Sequence, residues 1–285
     1  NDFFHFVGSV KLNWNVDIEE LDKAISEIQK EVEAAAEYFI WPQNSLNQMP
    51  LPLNEKATHD YIEHAAKVRP IMLVEKYISN APFVRLDIIK TILGRYKWKS
   101  EAVRDVLLLA FAAIILPSSN VRYGPGFGII KPKEDIDVFG LFRKKVNRMR
   151  NDLAEVNIKY KSVKSEAILG DARIMSNYYS KNSVDLMITS PPYPGDHEYT
   201  KHSRLELIFL EYAQNKDQFR EIKKRMLRGS TTNIYKEDKE GLHIANIESI
   251  KRIVEEIDKR LKADGGTSGF EKLYSKLVKE YFGGM

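Results

Sequence analysis

The stretch that most constrains this chain is Val106 to Leu116, eleven consecutive residues without a polar side chain. It is too short for the roughly 20 residues that cross a bilayer. Bounded by Ser100 and Pro117, it predicts a helix over Ser100–Leu116. Such a helix is apolar almost all round, so it has to lie inside a domain with other helices covering it. Candidates for the covering elements are legible in the same half of the chain. Ile18, Leu21, Ile25, Ile28 and Val32 recur at steps of three and four, the spacing of one buried helical face. Helical patterns also span Thr58–Lys67 and Ala81–Leu93, and Phe139, Phe142, Val146, Met149 and Leu153 make a further stripe. Pro42 to Pro52 reads as a loop, and Pro117 to Lys133 interrupts the helices with Ser, Asn, Pro and Gly. Residues 1–155 are therefore expected to form a mainly helical segment.

The pattern changes after that point. Glu166-Ala167-Ile168-Leu169, closed by Gly170-Asp171, predicts a buried strand and its turn. Ala172–Ser180 suits one short helix, and Val184-Asp185-Leu186-Met187-Ile188-Thr189 a second strand that runs directly into Ser190. Strand, short helix, strand is the unit of a parallel sheet, whose ligands bind beyond the carboxyl ends of the strands. Asp171 and Ser190 both fall at such ends. Charged helices are expected over Arg204–Tyr212, Gln218–Leu227 and Ile247–Leu261. Residues 156–285 are thus expected to be a catalytic α/β part.

Composition narrows the chemistry. Hydrophobic residues at 43% and aromatics at 11% are enough to build a core in one large domain or two modest ones. The absence of cysteine excludes disulfides, thiolate metal sites and a cysteine nucleophile. The six histidines show no metal-ligand spacing, so no metal is expected. A net charge of +4 permits a polyanionic partner without demanding one. No signal-peptide or membrane-spanning pattern is present, which points to a soluble, cytoplasmic protein.

The chemistry-bearing segment is Ser190-Pro191-Pro192-Tyr193. An exocyclic amine on a nucleobase is a poor nucleophile because its lone pair is delocalised into the ring. Two acceptors that each take one amino hydrogen can push it toward tetrahedral geometry. The Ser190 hydroxyl and the Pro191 carbonyl supply such a pair, and consecutive prolines stiffen the segment by fixing φ near −65°. Tyr193 can stack on a base flipped out of a duplex. Acceptors placed in advance around developing charge need no covalent nucleophile. A bare Ser-Pro-Pro-Tyr also suits a polyproline turn or a docking ligand; the apolar run before it argues for the catalytic reading.

Ser183 to Tyr193, preceded by Gly170-Asp171-Ala172-Arg173, resembles the amino-methylating DNA methyltransferases that use S-adenosylmethionine. In that family a [Ser/Asn/Asp]-Pro-Pro-[Tyr/Phe/Trp] tetrapeptide follows an apolar strand. The serine form is commoner among N4-cytosine enzymes, so the resemblance favours N4-cytosine over N6-adenine. The lack of cysteine argues separately against methylation at cytosine C5. The resemblance implies a Rossmann-like methyltransferase sheet, here partial, with 1–155 as an insertion or target-recognition region. It also implies double-stranded DNA with a flipped base as substrate, in a restriction-modification or protective setting. Asp171 resembles the acidic residue that approaches the cofactor's adenine, although an Asp there also suits a helix N-cap. The stretch Glu198-Tyr199-Thr200 ahead of Arg204-Leu205-Glu206 also looks like a branch of this family. Tyr199, Lys201, His202 and Arg204 are candidates to face the DNA strand. The alternative for this stretch is a solvated helix start, with Arg204 and Glu206 in structural ion pairs.

Other features fit the family less well. The family's Phe-x-Gly-x-Gly cofactor loop has no convincing counterpart. Gly124-Pro125-Gly126-Phe127-Gly128 does not join a strand to a helix and is expected to be a structural or DNA-contacting loop. Asp264-Gly265-Gly266-Thr267-Ser268-Gly269 suits a flexible linker, and Lys223, Lys224, Arg225 and Arg228 suit either phosphates or a solvated face. The apolar start after Asn1 suggests a chain beginning just past the missing loop, with a partner subunit or a further segment completing the cofactor site. Competing with the DNA reading are a non-catalytic nucleic-acid-binding or assembly module, and an amino-methyltransferase acting on RNA or on a protein amide.

Overall fold

The computed structural model describes residues 1–38, 63, 67, 69–123, 127–133, 136–160, 162–190, 193–195, 199–263, 265 and 269–285. Pro42–Pro52 and nearly all of Thr58–Lys67 lie outside the described residues; of the latter, Glu63 and Lys67 are helical and pair at 2.9 Å. The chain divides into two compact units.

The first unit comprises 2–168 and 204–215. In order it holds α1 (Asp2–Leu12), α2 (Ile18–Tyr38), α3 (Asn80–Arg95), α4 (Glu101–Ile115), strands β1 (Val121–Tyr123) and β2 (Phe127–Ile129), and α5 (Val138–Tyr160). α4 is the predicted central helix. Ser100 caps it by accepting from the Val103 N–H, and Leu107, Ala110, Phe111 and Ile115 are completely buried. α2, α3 and α5 cover it, as the run of apolar side chains requires. α2 buries Leu21, Ala24, Ile25, Ile28 and Val32, one face at the predicted steps. α5 starts where Asp137 accepts from the Gly140 N–H at 2.8 Å. Of its predicted stripe, Phe142 and Val146 are buried, whereas Phe139, Met149 and Leu153 are partly open.

The glycine-rich break is flanked by two short antiparallel strands. Val121, Arg122 and Tyr123 pair antiparallel with Ile129, Gly128 and Phe127; Gly124, Pro125 and Gly126 lie outside the described residues. Asn120 anchors its base. The Asn120 N–H donates to the Tyr77 carbonyl at 2.8 Å, its side chain exchanges hydrogen bonds with Ser79, and its Oδ1 accepts from the Lys133 N–H at 2.8 Å. A buried amide with all of these partners carries no desolvation debt.

The second unit comprises Asn1, 169–203 and 216–285. It contains a 3₁₀ helix at Ala172–Asn177, the short α6 (Tyr199–His202), α8 (Lys216–Lys224), α9 (Glu248–Ala263) and α10 (Tyr274–Gly284). The intervening α7 (Arg204–Phe209) belongs to the first unit. Glu240–Ile244, another 3₁₀ helix, packs against α10 so closely that a Cβ on Gly283 would lie 1.9 Å from the Glu240 carbonyl oxygen. Arg228 and Asp238 form a buried ion pair at 2.8 Å, and the guanidinium also donates to the carbonyls of Lys223, Lys224 and Met226. Arg228 is therefore a structural residue and not one free to track phosphates. Gly265 lies just after α9 with φ +61°; Asp264 and Gly266–Ser268 lie outside the described residues.

The expected Rossmann-like α/β sheet is not seen. Among the described residues the structure is mainly helical, and its sheet is the two-stranded antiparallel hairpin. Neither Glu166–Leu169 nor Val184–Thr189 is a strand. Ala167 instead lies against α1, where its carbonyl accepts from His5 Nε2 at 3.0 Å and its Cβ faces Gly8. Ile168 and Leu169 are 40% and 50% exposed, and Ile188 is 88% exposed. The physical reason is the source of the hydrogen bonds. A parallel strand needs a neighbouring strand to pair with and cover on both faces, and neither run has a strand neighbour among the described residues.

Candidate functional site

The 169–195 segment is built around a short turn. Gly170 is required there, because a Cβ would sit 2.4 Å from the Tyr178 ring. The Tyr178 hydroxyl in turn accepts from the Asp171 N–H at 3.0 Å. Asp171 caps the Ala172–Asn177 helix through the Arg173 N–H, which is the N-cap role open to it from the sequence. The Arg173 guanidinium also closes on both carboxylate oxygens, with Nη2 to Oδ2 at 2.6 Å, and reaches Glu240 at 2.6 Å with its other Nη. These hydrogen bonds from Arg173 hold the Asp171 carboxyl below the usual carboxylate range, against partial burial, which pushes it up. Arg173 and Glu240 were not singled out from the sequence. The spacing of Asp171 and Arg173 hints at the first contact, but Glu240 is brought in only by folding.

Ser190 is exposed, and Tyr193 is 72% exposed. Pro191 and Pro192 of the tetrapeptide lie outside the described residues. The partners of Asp171 are Arg173 and Tyr178, so it is not joined to Ser190 or Tyr193 by a hydrogen bond. Of the residues expected to face DNA, Tyr199 and Lys201 are exposed on α6 in the second unit. His202 is half-buried at the end of the same helix. Arg204 begins α7 in the first unit, with its guanidinium 5.9 Å from the centre of the Tyr77 ring. Lys224 pairs with Glu221 at 2.9 Å on α8.

Glu206 departs from its expected role. It sits among the buried Leu205, Leu207, Ile208 and Phe209 of α7. Its Oε2 is buried with no hydrogen-bond partner among the described residues. Burial pushes the carboxyl up to about 7, opposed by a hydrogen bond from its own backbone N–H. The one signal in the sequence is a lone acid inside an apolar run.

Among the described residues, no group of three or more His, Asp or Glu is placed to hold a metal ion, and no helix is long and apolar enough to cross a membrane. No family model, curated protein or solved structure matches the chain.

Proposed function

We propose that the chain carries the acceptor-activating segment of an S-adenosylmethionine-dependent DNA amino-methyltransferase, with N4-cytosine favoured over N6-adenine. The observation that carries this reading is the Ser190-Pro191-Pro192-Tyr193 tetrapeptide directly after an apolar run and downstream of Gly170-Asp171. Ser190 and Tyr193 are both open to solvent, which supports access by a flipped base. In this reading the Ser190 hydroxyl and the Pro191 carbonyl each accept one hydrogen of the target amine. Tyr193 stacks on the base, and Tyr199, Lys201 and Arg204 contact the DNA strand.

The residues present do not by themselves fit the cofactor. The carboxylate of Asp171 is closed on Arg173, and Ser190 and Tyr193 are exposed. The proposal therefore covers the acceptor side, with the cofactor cleft completed by a partner subunit or a further segment. A second reading, a non-catalytic assembly module, is favoured by the apolar side chains of Leu186, Met187 and Ile188, which are at least 70% exposed.

The test is methyl transfer from tritiated S-adenosylmethionine to mixed double-stranded DNA, using the protein purified with its natural subunits. Transfer is expected to fall at least about a hundredfold in Ser190→Ala and Tyr193→Ala, a loss of about 2.7 kcal/mol of transition-state stabilisation or more. Nucleoside analysis is expected to show N4-methylcytosine. Transfer undiminished in both variants, or absent altogether, overturns the catalytic reading; DNA binding without transfer favours the assembly module.

A further inference from the structure

The first unit contains a cavity of about 680 Å³ between α1, α4 and α5. Small-molecule sites run roughly 300–1,000 Å³ and combine apolar walls with a few placed polar groups. Here Val7 of α1, Leu109 of α4, and Met149 and Leu153 of α5 supply apolar wall. Two of the three α5-stripe residues that stay partly open, Met149 and Leu153, are thus part of a cavity lining. Their side chains are left short of full packing where a ligand would complete it.

Two polar observations say what that ligand carries. Glu206 from α7 contributes to the lining, and its buried Oε2 accepts no hydrogen bond among the described residues. An acceptor held in this way is destabilising until a donor reaches it, and more so when it is charged. On α5, Lys145 and Arg148 line the same cavity and make no ion pair among the described residues, although Asp152 stands one turn further along. Lys11 of α1 adds a third positive charge to the lining, so the cations outnumber Asp152. A simple cationic amine would suit Glu206 and be repelled by this basic side. A simple carboxylate would suit the basic side and leave Glu206 without a donor.

We infer that this cavity binds a small apolar zwitterion, a hydrophobic body whose amino group donates to Glu206 and whose carboxylate meets Lys145 and Arg148. The site lies wholly within the first unit and does not depend on the methyl-transfer reading.

Linear ω-amino acids test it, because each end can be deleted separately. Calorimetric titration at pH 8 with 6-aminohexanoate, 8-aminooctanoate and 11-aminoundecanoate is expected to give saturable binding by at least one of them. The matching alkylamine and fatty acid, each lacking one end, are expected to bind at least about tenfold more weakly. Glu206→Gln should reduce the amino acid to the level of the fatty acid and leave the fatty acid unchanged. Lys145→Ala with Arg148→Ala should reduce it to the level of the alkylamine. Ala113→Phe, which fills the cavity from α4, should abolish binding with the helical circular dichroism retained. Failure of every probe to saturate overturns the inference. Binding unchanged in Glu206→Gln or in Ala113→Phe does so as well.

Discussion

Val106–Leu116 and Val184–Ile188 are both apolar runs, and they end in opposite environments. In the first, Leu107, Ala110, Phe111 and Ile115 have no exposed surface; in the second, Val184 is 49% exposed and Ile188 88%. Hydrophobicity does not separate them. A helix closes its own i to i−4 hydrogen bonds, so the α4 run is free to use all its side chains for burial. An extended run has no internal hydrogen bonds and can be buried only where a neighbouring strand takes up its N–H and carbonyl groups. α4 is covered by helices from its own unit, whereas Val184–Ile188 has no such neighbour among the described residues.

The sharpest way to break this contrast is to truncate a side chain in each run. Phe111 is fully buried and meets Phe209 edge-on at 6.0 Å. Phe111→Ala is expected to cost about 3–5 kcal/mol, read as a lower midpoint in urea unfolding. Nearly as large is the expected effect of pH through Glu206. Its folded carboxyl is pushed up to about 7 from 4.5, so the fold prefers the protonated form. That stability is fully present below about pH 4.5 and is lost as the pH rises toward 7, on the order of 3 kcal/mol. Glu206→Gln should flatten this slope in unfolding curves measured between pH 4 and 8. An unchanged slope would mean that the carboxyl is solvated. Gly283→Ala is expected to cost about 1–3 kcal/mol by forcing α10 away from Glu240, and hydrogen exchange should rise along α10. At the small end, Ile188→Ser should change stability by less than about 0.5 kcal/mol. A loss comparable to that of Phe111→Ala would show that the run is covered in solution.

The same physics explains what could be read from the residues alone. The periodic spacing of Ile18 to Val32 and the continuous run at Val106–Leu116 announced α2 and α4 because every requirement of a helix is local. The break at Pro117–Lys133 was visible too, although its hairpin pairing was not. The predicted sheet failed for the opposite reason: Ala167 and Val184 carry the right side chains, but their backbone partners would have to come from elsewhere. Asp171 was legible as a helix cap, since the donor lies two residues away. Its second-hand link to Glu240 through Arg173 was not, because 67 residues separate that pair. Nothing local marks Gly283 either; its need for a hydrogen in place of Cβ exists only once Glu240 is packed against it.

The openness of Val184–Ile188 also bears on colloidal behaviour. A short window rich in Val, Leu, Met and Ile with one charge, Asp185, has the composition from which intermolecular cross-β stacking begins. Pro191 and Pro192 follow closely, and proline cannot donate to a growing ladder. Two prolines at this place are expected to limit such stacking, and the Asp185 carboxylate to add repulsion. Replacing either proline to probe catalysis would also test how concentrated the protein can be kept before it precipitates.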